Sequence, residues 1–199
     1  KLYLFASYSV PSATASNDPM APVESPRVGI TTIGSLKGTF SANTKYLNKV
    51  QLTEKASVSK LRVLLDGLSG AGGTATVRAL IYDSTGTNPS SGEPGNLLVT
   101  GSEVSIVSGA PAAWVNLPVD PKTLDVGAYW IGFIVGATGA GRDNYDVAVG
   151  SMRSDTDTYP VPAAVYASPA TSLNATVSMY MPYIAVPIVT PPPPLPPDP

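Results

Sequence analysis

Val58-Ser59-Lys60-Leu61-Arg62-Val63-Leu64-Leu65-Asp66 has the alternation of a strand with one buried face. Lys60 and Arg62 face out while Val58, Leu61, Val63 and Leu65 mostly face in, with one break in phase. The glycine-rich residues 67–73 then form a turn, and Ala75-Thr76-Val77-Arg78-Ala79-Leu80-Ile81-Tyr82 reads as a second strand. The pair is expected to fold back on itself as an antiparallel hairpin.

The same reading extends in both directions. Strands are expected upstream at about 28–34 and 46–53. Downstream, residues 83–96 form a loop dense in Ser, Thr, Gly and Pro, and residues 97–107 and 113–117 are two strands parted by Ser108-Gly109-Ala110-Pro111. Leu124-Asp125-Val126-Gly127 turns into Ala128-Tyr129-Trp130-Ile131-Gly132-Phe133-Ile134-Val135, the most apolar strand, with Trp130 as a core anchor. A glycine-rich bend at 136–141, a weaker strand near 145–149, a proline-broken stretch at 155–172 and a last strand at about 174–186 complete the body. Helical periodicity is absent. Short strands and turns at this spacing predict an all-β fold, an antiparallel β-sandwich of jelly-roll-like form.

Both flanks differ from the body. Residues 1–10 alternate as a strand that is largely apolar on both faces, and residues 11–28 are a proline-rich loop, so 1–28 is expected to be an extended N-terminal strand and arm. The sandwich is placed at 29–189. Residues 190–199 hold the run Pro191-Pro192-Pro193-Pro194-Leu195-Pro196-Pro197, a polyproline II tail, because proline fixes φ and donates no hydrogen bond.

Composition removes several functions. With 13% charged residues and a net charge of −2, the 12 Lys and Arg are scattered singly, and no basic stripe for nucleic acid forms. No run approaches the roughly 20 apolar residues that span a bilayer, and the apolar start breaks at Ser7 and Ser9, too early for a signal-peptide core. The absence of cysteine excludes a disulfide framework. The absence of histidine removes Ser-His-Asp and Cys-His nucleophiles, His-ligated zinc and histidine general bases together.

Three groups of residues invite a chemical reading. Asp143-Asn144-Tyr145-Asp146 and Asp155-Thr156-Asp157 bring carboxylates together as a calcium site or a glycosidase pair would, but neither has EF-hand spacing, and solvated turn chemistry accounts for both. No cofactor is expected; calcium stays open without support. The glycines at 70–73 and 136–141 open no helix and lack the Gly-Lys-Ser/Thr ending of a phosphate loop, so they are bend glycines. Tyr145, Tyr159 and Tyr166 lie in loops or weak strands, where aromatic rings serve either an oligomer interface or a sugar platform.

From about Gly29 to Val186 the chain resembles a jelly-roll-type β-sandwich that recurs in tail, fibre and head-surface proteins of bacteriophages and in bacterial surface proteins. The resemblance is carried by residues 57–67, by Val77-Arg78-Ala79-Leu80-Ile81-Tyr82-Asp83-Ser84, by residues 94–104, by Ala113-Trp114-Val115-Asn116-Leu117-Pro118 and by residues 124–132. It implies a non-enzymatic structural protein on a virion surface, a head decoration or tail component, whose partners are other virion subunits, as a homo-oligomer, with neither nucleic acid nor membrane. Extended flanks suit strand addition and polyproline docking, so Leu2, Leu4, Phe5, Pro193 and Leu195 are the expected partner contacts. The alternative is an extracellular or cell-surface carbohydrate-binding module that holds glycans on Tyr145, Tyr159 and Tyr166. No residue is singled out as catalytic or metal-binding.

Overall fold

The computed structural model describes residues 26–87, 90–136, 140–148, 152–166 and 171–187. The expected N-terminal strand, the polyproline tail and the contacts assigned to Leu2, Leu4, Phe5, Pro193 and Leu195 lie outside the described residues. Those described fold into fourteen strands: β1 (Arg27–Gly29), β2 (Leu36–Thr39), β3 (Thr44–Leu52), β4 (Ala56–Gly67), β5 (Thr74–Asp83), β6 (Leu97–Thr100), β7 (Val104–Val107), β8 (Ala113–Leu124), β9 (Gly127–Val135), β10 (Gly141–Asp146), β11 (Met152–Thr156), β12 (Thr171–Leu173), β13 (Thr176–Val177) and β14 (Met179–Ala185). No helix occurs among the described residues.

Two seven-stranded antiparallel sheets pack face to face as a β-sandwich. The first runs β1-β14-β4-β10-β13, with β2 also on β10 and β8 on β4; the second runs β12-β11-β3-β9-β5-β6, with β7 also on β5. Residues 58–66 and 75–82 are strands, but they are not a hairpin. β4 pairs with β8, β14 and β10 in one sheet, while β5 pairs with β9, β6 and β7 in the other. The connection crosses the sandwich, tied down by Gly67 N to Ala110 O at 2.8 Å and Leu68 N to Ala140 O at 2.8 Å. Each strand buries its apolar face best by facing the other across the core, not by lying beside it.

Alternation places the core. Leu61, Val63 and Leu65 of β4, Val77, Ala79 and Ile81 of β5, Leu117 of β8 and Ile131 and Phe133 of β9 meet between the sheets with almost no exposed surface. Each larger side chain so buried contributes roughly 1.5–3 kcal/mol. The break in phase within residues 58–66 is a β-bulge: the pairing of β4 with β8 slips between Val58 and Lys60, and the pairing with β14 slips at the same stretch. Against β14, β4 carries one residue more between Val58 and Arg62 than β14 does between Tyr180 and Tyr183, and that extra residue restores the inward aim of Leu61.

Other boundaries moved. Residues 97–107 divide into β6 and β7 around Gly101, where a Cβ would collide with the Pro118 carbonyl of β8. β8 runs on to Leu124. The strand expected near 145–149 is β10, which ends at Asp146, and β11 occupies residues that carried no strand signal. β1 already pairs from Arg27, two residues before the expected start of the sandwich.

Trp130 is buried, but not between the sheets. β9 is apolar on both faces because the second sheet is covered on both. Its outer face carries a smaller core of Leu47, Leu80, Tyr82, Trp130, Ile134 and Tyr166. Two segments roof this core. Residues 90–97 are held where Gly92 O accepts from Lys49 Nζ, Ser84 Oγ and Trp130 Nε1 at 2.7, 2.6 and 3.0 Å. Residues 157–166 are joined to them by Leu97 N to Ala164 O and Tyr166 N to Gly95 O.

The first sheet forks, and three buried polar residues satisfy the backbone there. Leu65 of β4 pairs with Asp143 of β10, yet the next amide, Leu64 N, donates to Ser178 O at 2.9 Å, and Ser178 N donates to Asn144 O at 2.8 Å. Ser178 thus wedges β14 between β4 and β10. Asn144 Nδ2 donates to Leu64 O, Ser178 Oγ accepts from Gly34 N, and Asn48 reaches from the opposite sheet to bond both Val177 O and Val177 N. A fork leaves ladder groups unpaired in an apolar interior, and side-chain amides and hydroxyls replace the missing strand.

Candidate functional site

Beyond the fork the sheets part, and a cavity of about 310 Å³ opens between their edges. Gly38, Asp143 and Tyr145 line it from the first sheet; Tyr46, Met152 and Leu173 line it from the second. Asp143 and Tyr145 point inward because alternate residues of a strand share a face. Asp143 is 5% exposed, and burial pushes its carboxyl up to about 6; hydrogen bonds from its own and the Gly38 backbone N–H partly offset this, while the charge of Asp66 adds to it. A Cβ at Gly38 would overlap the Asp143 carboxylate, so glycine there makes its seat. An apolar cavity with one titrating carboxyl can hold a small polar group by donating or accepting a hydrogen bond.

Asp143 does not form a carboxylate pair with Asp146. Three residues apart on a strand, they face opposite ways, and Asp146 is occupied by Ser35 N and Oγ, both at 2.9 Å. The turn expected at 143–146 is therefore β10 instead, because pairing with β2 and β4 overrides local turn preference. Asp66, the nearest other buried carboxylate, faces outward and is held by Lys37 and by both Arg142 Nε and Nη2 at 3.0 and 2.8 Å.

A second cluster lies under the roof of the second sheet. Lys45 of β3 has no exposed side-chain surface; its cross-strand partner Asp155 holds Oδ2 3.5 Å from Nζ, and Asp157 Oδ2 lies 2.7 Å away. The Tyr166 ring lies 4.2 Å from Nζ and the Tyr82 ring 5.6 Å. Asp155 and Asp157 are thus not solvated turn residues: a buried ammonium needs counter-charge, and these two supply it. Burial acts to raise the Asp157 carboxyl, but hydrogen bonds from Lys45, Thr158 and Ala163 outweigh it and hold the group below its ordinary value. Burial, with the nearby carboxylates, raises both tyrosines. Tyr82 OH, Tyr166 OH and Asp155 Oδ2 are buried without a hydrogen-bond partner. Beside this cluster Arg153 clamps Glu93, with Nη2 to Oε1 at 2.7 Å, and lies over Trp130.

The three tyrosines singled out for an oligomer interface or a sugar platform occupy three environments. Tyr145 lines the end cavity; Tyr159 bonds Glu103 at 2.6 Å under Arg78; Tyr166 is 6% exposed, edge-on to Tyr82 in the outer core. Lys45 escaped the sequence reading because a lysine in the outward register of a strand looks solvated, and nothing local announces the roof above it. Among the described residues, no group of three His, Cys, Asp or Glu could hold a metal ion. No family model matches the chain, and no curated protein matches it.

Proposed function

We propose that the chain is a non-enzymatic structural subunit of a virus particle, a head decoration or tail component, working through contacts on the outside of its sandwich. The observation that carries this is the strand order. Within the two sheets, β2-β10-β4-β8 faces β3-β9-β5-β6, and among these eight strands each successive pair lies in opposite sheets except β5 and β6, which supports a jelly-roll connectivity. The exterior adds support. Among the described residues β2 is paired on one side only; its first residue, Leu36, is 41% exposed, and Ile33 and Val147 beside it are each 69% exposed. An edge strand with apolar neighbours is a template for another chain, and a second copy is its simplest occupant.

Light scattering of the full chain across a concentration series tests the reading, with a doubly substituted Ile33→Asp, Leu36→Asp chain beside it. Concentration-dependent assembly that the variant loses supports a subunit. A wild-type chain that stays monomeric throughout removes it.

The second reading, a carbohydrate-binding module, rests on the end cavity, where Tyr145 and Asp143 put a ring and a hydrogen-bonding carboxyl side by side. A glycan array repeated with Tyr145→Ala decides it. Glycan binding that is absent, or unchanged in the variant, counts against a sugar site there.

A further inference from the structure

We propose that Lys45 and Asp157 condense into a side-chain amide, an intramolecular isopeptide bond, with Asp155 carrying the proton between them. The inference is independent of the assembly reading and rests on the roofed cluster of the second sheet. Nζ of Lys45 is fully buried and 2.7 Å from Asp157 Oδ2, one bond from the carbon that it would attack. Asp155 faces Lys45 directly across the β3–β11 ladder, with its Oδ2 3.5 Å from the same nitrogen.

In water an ammonium and a carboxylate do not condense, because both ions are well hydrated and solvent is in excess. Here two tyrosine rings and the roof withhold water. Fixed placement replaces a bimolecular encounter, and a site closed to solvent does not hydrolyse the bond that it forms. The ion pair also leaves Asp155 Oδ2, Tyr82 OH and Tyr166 OH without a hydrogen bond in the same box. An amide brings one N–H, which Asp155 can accept, and one carbonyl oxygen, which a tyrosine hydroxyl can serve.

The step balances without oxidant or metal. Lys45 passes a proton to Asp155, and the freed lone pair attacks Cγ of Asp157. The Nζ–Cγ bond forms, a Cγ–O bond breaks, and the departing oxygen takes the proton held by Asp155 and a second from the nitrogen. One ammonium and one carboxylate become one amide and one water. The product would join β3 covalently to the segment that roofs the outer core, in a chain that has no cysteine for a disulfide.

The test is the intact mass of the denatured full-length chain, followed by peptide mapping. The expected mass is lighter than the sequence by one water, and tryptic digestion yields the peptide bearing Lys45 joined to the one bearing Asp157. A chain at full sequence mass overturns the proposal, as does a missing water that maps elsewhere. Asp155→Asn, close to isosteric, is expected to fold, as judged by circular dichroism, and to keep its full mass. A folded Asp155→Asn chain that is still completely cross-linked overturns the role given to Asp155.

Discussion

Replacing Asp143 by asparagine is expected to make the protein more stable at neutral pH. The folded carboxyl titrates near 6 against an ordinary value of 3.8, chiefly because it is buried at the end of the sandwich. Between those two values the folded chain holds a proton that the unfolded chain has released. Folding takes up a proton in that window, so stability is full below about pH 4, falls as pH rises and levels off above about pH 6. Roughly two units at about 1.4 kcal/mol each give a loss of about 3 kcal/mol. Asparagine has no proton to lose and can still accept from Gly38 N–H, but its amide N–H group lacks the acid's fit, which costs about 1 kcal/mol. The net expectation is a variant about 1–3 kcal/mol more stable at about pH 7.5 and nearly flat in pH above about 4.5. Urea unfolding of both chains across this range measures it. Parallel pH profiles for the two, or a wild-type stability that climbs through the window, would refute the assignment of Asp143 as a buried, half-protonated acid.

Glu93 is expected to act in the opposite sense. Its hydrogen bond from Arg153 holds its carboxyl below 4.5, so the clamp's contribution disappears as pH falls beneath that value, and Glu93→Gln should lose that acid-side slope in the same unfolding series. Phe133→Ala removes a ring that packs 5.6 Å from Phe40 and 5.5 Å from Tyr46 between centroids, and thermal or urea melts should show a loss of about 3–5 kcal/mol. Asn48→Ala strands the Val177 N–H and C=O in the interior, at about 1–3 kcal/mol for each group, with faster amide exchange expected at the fork. Gly132→Ala places a methyl on the Tyr46 carbonyl oxygen and under Leu47; far-UV circular dichroism should report a weakened β3–β9 pairing.

Strand existence was legible wherever one face is buried and the other wet, as in residues 58–66, where even the bulge left its mark as a phase slip. Partnership was not. The hairpin reading of β4 and β5 failed because adjacency in sequence carries no information about which side of a core a strand takes, and a six-residue glycine-rich connection can turn back or cross over equally well. Trp130 and its neighbours declared burial on both faces through their unbroken apolarity, yet the roof responsible is made of irregular, proline-broken loop residues without strand alternation. Asp143 was singled out but read as a solvated turn residue, and Lys45 was not singled out, for the same reason: each owes its chemistry to residues distant in sequence, Gly38 and Asp66 in one case, Asp155, Asp157 and Tyr166 in the other. Tyr145 alone among the three singled-out tyrosines lies on the end cavity.

The position of β14 has a consequence in time. It lies inside the first sheet, between β1 and β4, although it follows every other strand in sequence. Val63 waits for Met179, and Val28 for Met181. A chain growing from its N-terminus therefore presents one open edge of β4, with its apolar neighbours, until nearly all of the sandwich has been made. Pairings this distant in sequence close slowly, on the order of milliseconds to seconds for β-rich domains of ordinary size. During that interval the nascent chain is at its most adhesive, and the yield of native protein should depend on temperature and synthesis rate more steeply than the finished sandwich's stability would indicate.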